Sequence, residues 1–475
     1  MRILFAAAEI APLSKVGGLA DVVRSLPQEL IKAGHDVRAI IPKYGFIDFS
    51  DFTTERIVSD YTVLSLGRYR KVSIEQITVE DVKTFLVCED IFTDSALVYG
   101  ENELEKFFVF CTAVSDILPH LGWQPDIIHC HDWHAALIPL MIRNRAYNYN
   151  TVFTIHNIKY QGNFDHYFLH ETGLASHWHA RLPMNQQVPL TFMSQGVLWA
   201  DVVSTVSETF AREILTYECG CGLQDLLNFR KDSLYGIRNG LGYEEYDPEV
   251  DKLITANYSL QQLDGKAVNK RKLQQLSGWQ ENADVPLIGM VTRMDEQKGI
   301  DIILQALPGF ISKVPVQFVF LGKGKDYYEN ALQAMGKRYP DNVKTYVTFD
   351  NPMAHLIYAG SDIFLMPSNW EPCGLSQLIA MRYGSVPLVR ATGGLADTVR
   401  NLSSDLGKGT GFVFEDYTAQ ALTSVLKRAV QDFDNKRAWD KAVRRIMKQD
   451  FTWRDPVARY ETLYKKLLEH SGNAA

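Results

Sequence analysis

The chain opens with six apolar residues in succession, Ile3-Leu4-Phe5-Ala6-Ala7-Ala8. A run that is apolar on both faces predicts a strand buried within a parallel sheet. After a loop from Glu9 to Gly18, Leu19, Val22, Val23, Leu26 and Leu30 recur at helical spacing. Pro27 falls inside that pattern as a predicted kink, and Gly34 is the predicted stop. Val37 to Ile41 supplies the next strand. The result is a β-α-β unit whose first loop lies at the strand's carboxyl end, where open α/β sheets bind ligands.

The same alternation continues. Asp126 to His129 and Thr151 to Ile155 read as strands that end in histidine-bearing loops, and Asp201 to Thr205 as a further strand. A polar stretch from Asp247 to Asp284, containing Pro248 and Gly265, marks a change of domain near its start. A second α/β series begins at Pro286–Val291. Its strands are predicted at Gln317–Leu321, Val343–Phe349, Ile363–Met366, Val386–Val389 and Gly411–Phe414. Val457, Tyr460, Leu463, Tyr464 and Leu467 give the last segment helical spacing. One stretch echoes another: Gly17-Gly18-Leu19-Ala20-Asp21-Val22-Val23 returns as Gly393-Gly394-Leu395-Ala396-Asp397-Thr398-Val399. This predicts two Rossmann-like halves that each place a glycine pair at a helix start.

Composition narrows the class. With 475 residues, 46% hydrophobic and 22% charged, the chain is long enough for two large α/β domains. A net charge of −7 without a basic run argues against nucleic acid as a partner. No apolar stretch approaches membrane-spanning length, and Met1-Arg2 leads straight into the first strand with no leader. The six cysteines are scattered, as reduced thiols are, and Cys219-Gly220-Cys221 is too tight for the usual zinc spacing.

Four motifs carry candidate chemistry. In Lys15-Val16-Gly17-Gly18, the glycines let backbone approach a ligand, the helix start offers N–H groups, and Lys15 adds a full charge. The spacing is neither a dinucleotide fingerprint nor a Walker loop, which weakens nicotinamide and ATP-hydrolysing readings. Arg293 and Lys298 flank a strand-end loop and could converge on one diphosphate, the first bidentately and the second as a point charge. Two solvated surface cations are the alternative. Glu371-Pro372-Cys373-Gly374-Leu375 turns into a helix, with a carboxylate placed to bind sugar hydroxyls and stabilise positive charge on a sugar ring; a plain helix-start carboxylate is the other reading. His129, His131, Asp132, Trp133, His134 and His156-Asn157 form a polar cluster at strand ends. Sugar hydrogen bonding suits these side chains better than a metal, for which no further ligand set is apparent.

Together these residues resemble the bacterial glycogen synthase and plant starch synthase family. The resemblance spans essentially the whole chain. It rests on Lys15-Val16-Gly17-Gly18-Leu19, His131-Asp132-Trp133-His134, His156-Asn157, Arg238-Asn239-Gly240, Glu296-Gln297-Lys298-Gly299, Glu371-Pro372-Cys373-Gly374-Leu375 and Thr392-Gly393-Gly394-Leu395. It implies an α/β GT-B fold: two Rossmann-like domains, an interdomain active-site cleft, and a C-terminal helix that crosses back. The domains are expected at 1–245, joined by the helix 455–475, and at 246–454.

The implied activity is retaining transfer of glucose from ADP-glucose to the non-reducing end of an α-1,4-glucan, with no cofactor, no metal and no membrane. By the same resemblance, Glu371, Lys298, Arg293 and His156 are the catalytic set. Lys15, Gly17, Gly18, Asp21, Asp132, Asn239, Phe349, Cys373, Gly374, Leu375, Thr392, Gly393 and Gly394 bind substrate, with Phe349 stacking on the adenine. Two positions depart from the family pattern: Gly242, where an aspartate is common, and Asn369-Trp370, where Arg-Phe is common. A non-catalytic glucan binder and another enzyme on the same fold, such as a nucleotide-sugar epimerase or a phosphorylase, are the competing readings. The location that the resemblance implies is bacterial cytoplasm, or plastid stroma or starch granule if a transit peptide has been removed.

Overall fold

The computed structural model describes residues 1–181 and 188–472. The chain forms two compact units, residues 1–240 with 453–475, and residues 241–452.

Among the described residues the first unit holds nine strands: β1 Arg2–Ala6, β2 Asp36–Pro42, β3 Glu55–Ser65, β4 Arg68–Val79, β5 Val82–Cys88, β6 Ile127–His131, β7 Asn150–Ile155, β8 Val202–Thr205 and β9 Leu234–Gly236. Their order is β3-β4-β5-β2-β1-β6-β7-β8-β9. All neighbours are parallel except β3-β4 and β4-β5. The continuous apolar run at the start follows from burial on both faces. Ile3, Phe5 and Ala7 enter one core, Leu4, Ala6 and Ala8 the other. The ladder nevertheless stops short of Ala8: the Ala7 N–H still bonds Ile40 O at 3.2 Å, and the chain then turns into the Glu9 loop.

The helix Gly18–Lys32 runs through Pro27 without interruption. Its apolar stripe is fully engaged on the Phe5 face of the sheet, and that burial outweighs one missing backbone bond. It ends in a Schellman pattern, with Gly34 N–H to Ile31 O at 2.9 Å and His35 N–H to Leu30 O at 3.1 Å. The same face is closed by the last helix, Arg454–Gly472, through Val457, Tyr460, Leu463, Tyr464 and Leu467. Residues 473–475 of the expected C-terminal helix lie outside the described residues.

The antiparallel part was not foreseen. Strands β3, β4 and β5 are joined by two-residue turns, Leu66-Gly67 and Glu80-Asp81, in which both residues have positive φ. That geometry is the hairpin turn normally signalled by Asn-Gly or Asp-Gly, and neither dipeptide is present here.

The second unit contains β10 Leu287–Val291, β11 Gln317–Gly322, β12 Val343–Val347, β13 Ile363–Met366, β14 Val386–Arg390 and β15 Phe412–Phe414, all parallel, ordered β12-β11-β10-β13-β14-β15. β12 ends at Val347 rather than Phe349, because Asp350 caps the next helix by accepting from Met353 N–H at 2.9 Å. Among the described residues no helix is long and apolar enough to cross a membrane.

Deleting residues 453–475 strips one core of Trp453, Val457, Tyr460, Leu463, Tyr464 and Leu467, each fully buried side chain contributing ~1.5–3 kcal/mol. Calorimetry of the truncated chain is expected to lose the melting transition of the first unit and keep that of the second.

Candidate functional site

In the second unit the candidate residues line the carboxyl edge of the parallel sheet. Phe349 follows β12, Arg293 and Lys298 follow β10, Glu371 to Leu375 follow β13, and Thr392 to Gly394 follow β14. The loops are tied directly to one another. Lys298 Nζ donates to Glu371 Oε2 at 2.6 Å, with the two side chains only 14% and 7% exposed. Ser368 Oγ donates to the same oxygen at 3.0 Å. Gln297 joins the same two loops: its main-chain oxygen accepts from Asn369 N–H at 2.8 Å, and its Nε2 donates to Trp370 O at 3.2 Å.

Arg293 stands apart from that pair. Its guanidinium is half-exposed and lies 3.2 Å from Gln297 Oε1 and 3.5 Å from Asp295. Phe349 is 82% exposed, so one face of its ring is open to stacking. The helix Ser376–Arg382 begins with no side-chain cap, beside Gly374 and Leu375. Cys373 is half-buried and its carbonyl accepts from Gln377 Nε2 at 3.1 Å. At the departure Asn369-Trp370, a cation arrives from elsewhere: Arg390 on β14 donates to Asn369 O at 2.6 Å.

The glycine pair Gly393-Gly394 is buried, and its reason is packing. A Cβ on Gly393 would lie 2.0 Å from Glu371 O, and one on Gly394 1.8 Å from Cys373 O. The Gly394 N–H is itself engaged, bonding Glu371 O at 3.0 Å. These glycines hold the Glu371 loop against β14. Their sequence twin differs. Gly17 and Gly18 are exposed, and a Cβ on Gly17 would meet nothing within 4 Å. The second copy also starts a helix of only six residues, Gly393–Thr398, against fifteen in the first.

In the first unit the candidates gather after β1, β6 and β7, which are neighbours in the sheet. Lys15 Nζ pairs with Asp21 at 2.8 Å. Asp132 accepts from the main-chain N–H of His156 at 2.7 Å and of Asn157 at 3.3 Å. Its backbone is strained, with φ 54° and ψ −178°, a region that costs a non-glycine residue ~1–3 kcal/mol and is concentrated at functional sites. Burial raises the Asp132 carboxyl to about 7, with a further push from the nearby Glu9 charge and opposition from the two N–H donors. His156 is lowered to about 3 by burial, so its ring is neutral. Asn239 follows β9, with its Oδ1 buried and unpartnered among the described residues. Gly240 beside it packs on Trp453. Among the described residues no group of three or more His, Cys, Asp or Glu is placed to hold a metal ion.

Glu9 was missed. It is 2% exposed, and its Oε2 accepts from Val16 N–H at 2.6 Å and Gly17 N–H at 3.2 Å, while Tyr99 donates its hydroxyl to Oε1. This carboxylate shapes the Lys15–Gly18 loop. The available signal was a lone acid set in an apolar run, between Ala8 and Ile10.

With this geometry, likeness to known proteins becomes specific. Residues 2–229 match the starch synthase catalytic domain, and residues 273–446 the glycosyl transferases group 1 domain. Glycogen synthase 2 of Geobacter sulfurreducens is 42% identical over 477 residues, covering 98% of each chain. The glycogen synthase of Geotalea uraniireducens is 42% identical over 487 residues, covering 99% of this chain and 100% of the other. The chain belongs to the glycogen synthase and starch synthase family.

The catalytic domain of starch synthase IV from Arabidopsis thaliana, solved bound to ADP and acarbose, superposes with a TM-score of 0.89 at 31% identity, over 98% of this chain and 99% of that one. A sucrose-phosphate synthase from Thermosynechococcus elongatus shares the fold, with a TM-score of 0.63 at 18% identity over 99% of each chain. The two parallel α/β units are therefore the GT-B pair, and the enzyme is a glycosyltransferase of glycogen or starch synthesis.

Two outcomes follow from the site. Gly17→Ala should change stability by no more than ~0.5 kcal/mol, because its added methyl meets open space. Gly394→Ala should cost about 1–3 kcal/mol through overpacking against Cys373, both read by urea unfolding. The Asp132 carboxyl binds its proton more tightly folded than unfolded. Its contribution to stability is therefore favourable near pH 4 and lost as pH rises towards 7. Asp132→Asn should accordingly raise the melting temperature at pH 8, and by progressively less as the pH falls towards 4.

Proposed function

We propose that this member of the family transfers glucose from ADP-glucose to the non-reducing 4-hydroxyl of an α-1,4-glucan, with retention of anomeric configuration. The observation that carries the reading is the ammonium–carboxylate pair of Lys298 and Glu371, held at the sheet edge that also carries Arg293 and an uncapped helix start. Departure of ADP places negative charge on the diphosphate and positive charge on the sugar ring. One contact of this site supplies both signs. Lys298, Arg293 and the amides at Gly374 and Leu375 stabilise the leaving oxygens. Glu371 stabilises the cationic ring.

The exposed Phe349 ring stacks on the adenine, and Thr392, Gly393 and Cys373 wall the phosphate side. In the first unit, Lys15, Asp21 and the open backbone at Gly17 and Gly18 are assigned to substrate binding. Asp132, His156 and Asn239 hydrogen-bond sugar hydroxyls; the unpartnered Asn239 Oδ1 is an acceptor ready for one. The ADP and acarbose held by the plant starch synthase support a nucleotide donor and a glucan-like acceptor here. No side chain among these candidates is assigned as a covalent nucleophile. The acceptor accordingly attacks from the face the phosphate leaves, and that phosphate takes its proton.

The test is incubation with ADP-glucose and a maltooligosaccharide, following ADP release and chain length. Extension with retained configuration is expected, and UDP-glucose should compete poorly. Lys298→Ala should lower kcat by roughly 10²–10³. It also leaves Glu371 unpaired and nearly buried, a loss of about 3–5 kcal/mol in stability that the double variant with Glu371→Ala should partly relieve. Near-normal turnover in folded Lys298→Ala rejects the assignment.

A further inference from the structure

Strand β6 ends in His129-Cys130-His131, and neither histidine is exposed. The His131 ring stacks on Phe5, centroids 5.1 Å apart and 20° between planes, and lies 4.2 Å from the His129 ring. His131 Nδ1 sits 2.9 Å from His156 Nε2. His131 Nε2 is buried and has no hydrogen-bond partner among the described residues. The bond between the two rings therefore has one free variable, its direction.

Burial keeps both rings neutral, His131 well below the ordinary histidine range and His156 at about 3. A neutral imidazole carries one N–H and one lone pair. If His156 donated, the His131 proton would sit on Nε2, where it would be a buried N–H without an acceptor. If His131 donates, Nε2 is left with only an unshared lone pair. Orphaned buried N–H groups are the rarer of the two defects in folded proteins. The bond accordingly runs from His131 Nδ1–H to His156 Nε2. The His156 proton must then be on Nδ1, an atom that makes no bond among the described residues and belongs to a ring only half-buried.

We propose that His131 is a positioning residue that fixes the tautomer of His156, so that His156 presents an Nδ1–H donor to an oxygen of the bound hexosyl group. The proposal deepens the proposed function and rests on His156 touching the sugar. The direction of the bond between the rings does not. Neighbouring groups support the arrangement. His129 is locked between Tyr464 OH at 2.8 Å and Thr154 Oγ1 at 2.5 Å, so its ring forms a fixed wall for His131. Asp132 Oδ1 holds the main-chain N–H of His156, fixing the loop that carries the ring. Main chain and ring are thus anchored separately, and only the ring anchor chooses which nitrogen bears the proton.

The test uses the full chain labelled with ¹⁵N-histidine, with the His156 signals assigned by their loss in His156→Gln. The expected spectrum of the wild type has a protonated Nδ1 and an unprotonated Nε2 on His156. His131→Phe keeps an aromatic ring against Phe5 but removes the donor; it should convert His156 to a mixture of tautomers and lower kcat about tenfold with KM for donor and acceptor little changed. His131→Gln, whose amide can still donate, should recover part of that loss. A proton on Nε2 of His156 in the wild type overturns the proposal, and that reading needs no variant to fold. Unchanged kcat in His131→Phe, with turnover abolished in His156→Gln, also overturns it while leaving the sugar contact intact. If His156→Gln itself retains full turnover, the sugar contact is what fails, and the positioning role falls with it.

Discussion

A lysine and a glutamate that lie almost out of reach of water cannot be separated cheaply. Each would carry an uncompensated charge into a poorly solvated place. Lys298 and Glu371 are 73 positions apart in the chain, yet they meet at 2.6 Å. β10 and β13 are neighbouring parallel strands, so the loops after them leave the same edge of the sheet, and that contact locks the two together. Gln297 to Trp370 and Asn369, and Arg390 to Asn369, add further ties. In the proposed transfer the same pair presents a cation and an anion side by side, matching the charges that develop as a sugar leaves a diphosphate.

The repeated glycine motif shows how one sequence device can serve two physical ends. Around Gly393 and Gly394 the neighbouring backbone is so close that any side chain would collide with it. Around Gly17 the space is open, and the loop is held from behind by the Glu9 carboxylate. The first case is a solution to packing. The second leaves the loop exposed, with its N–H groups turned to Glu9. Identity of sequence between the two copies gave no hint of this difference.

Polar groups in the first unit are kept uncharged or strained by their surroundings. The histidines at the end of β6 are too desolvated to take up a second proton, and Asp132 sits in a conformation that aspartate seldom adopts. Such features cost stability and persist because the surrounding sheet and the last helix over-determine them. In the proposed function these neutral imidazoles and the fixed carboxylate sort donors from acceptors on a polyhydroxylated ring, where charge alone carries little selectivity.

Local sequence determined much of the architecture. Strands buried on both faces announce themselves as unbroken apolar runs, so β1, β7 and β10 were legible to within a residue or two. The helix after β1 was legible from its stripe. The β3-β4-β5 meander was not, because its turns at Leu66-Gly67 and Glu80-Asp81 lack the usual residues and its alternation is interrupted by charges such as Glu75. Residue type named the candidates Lys298, Glu371, Asp132 and His156, since chemistry belongs to side chains. Only tertiary structure decided which of them touch, that Glu9 sets the Lys15 loop, and which nitrogen of His156 is free. Apart from the local Glu9 contact, those are distances between residues far apart along the chain, and they are fixed by strand order and burial rather than by any local pattern.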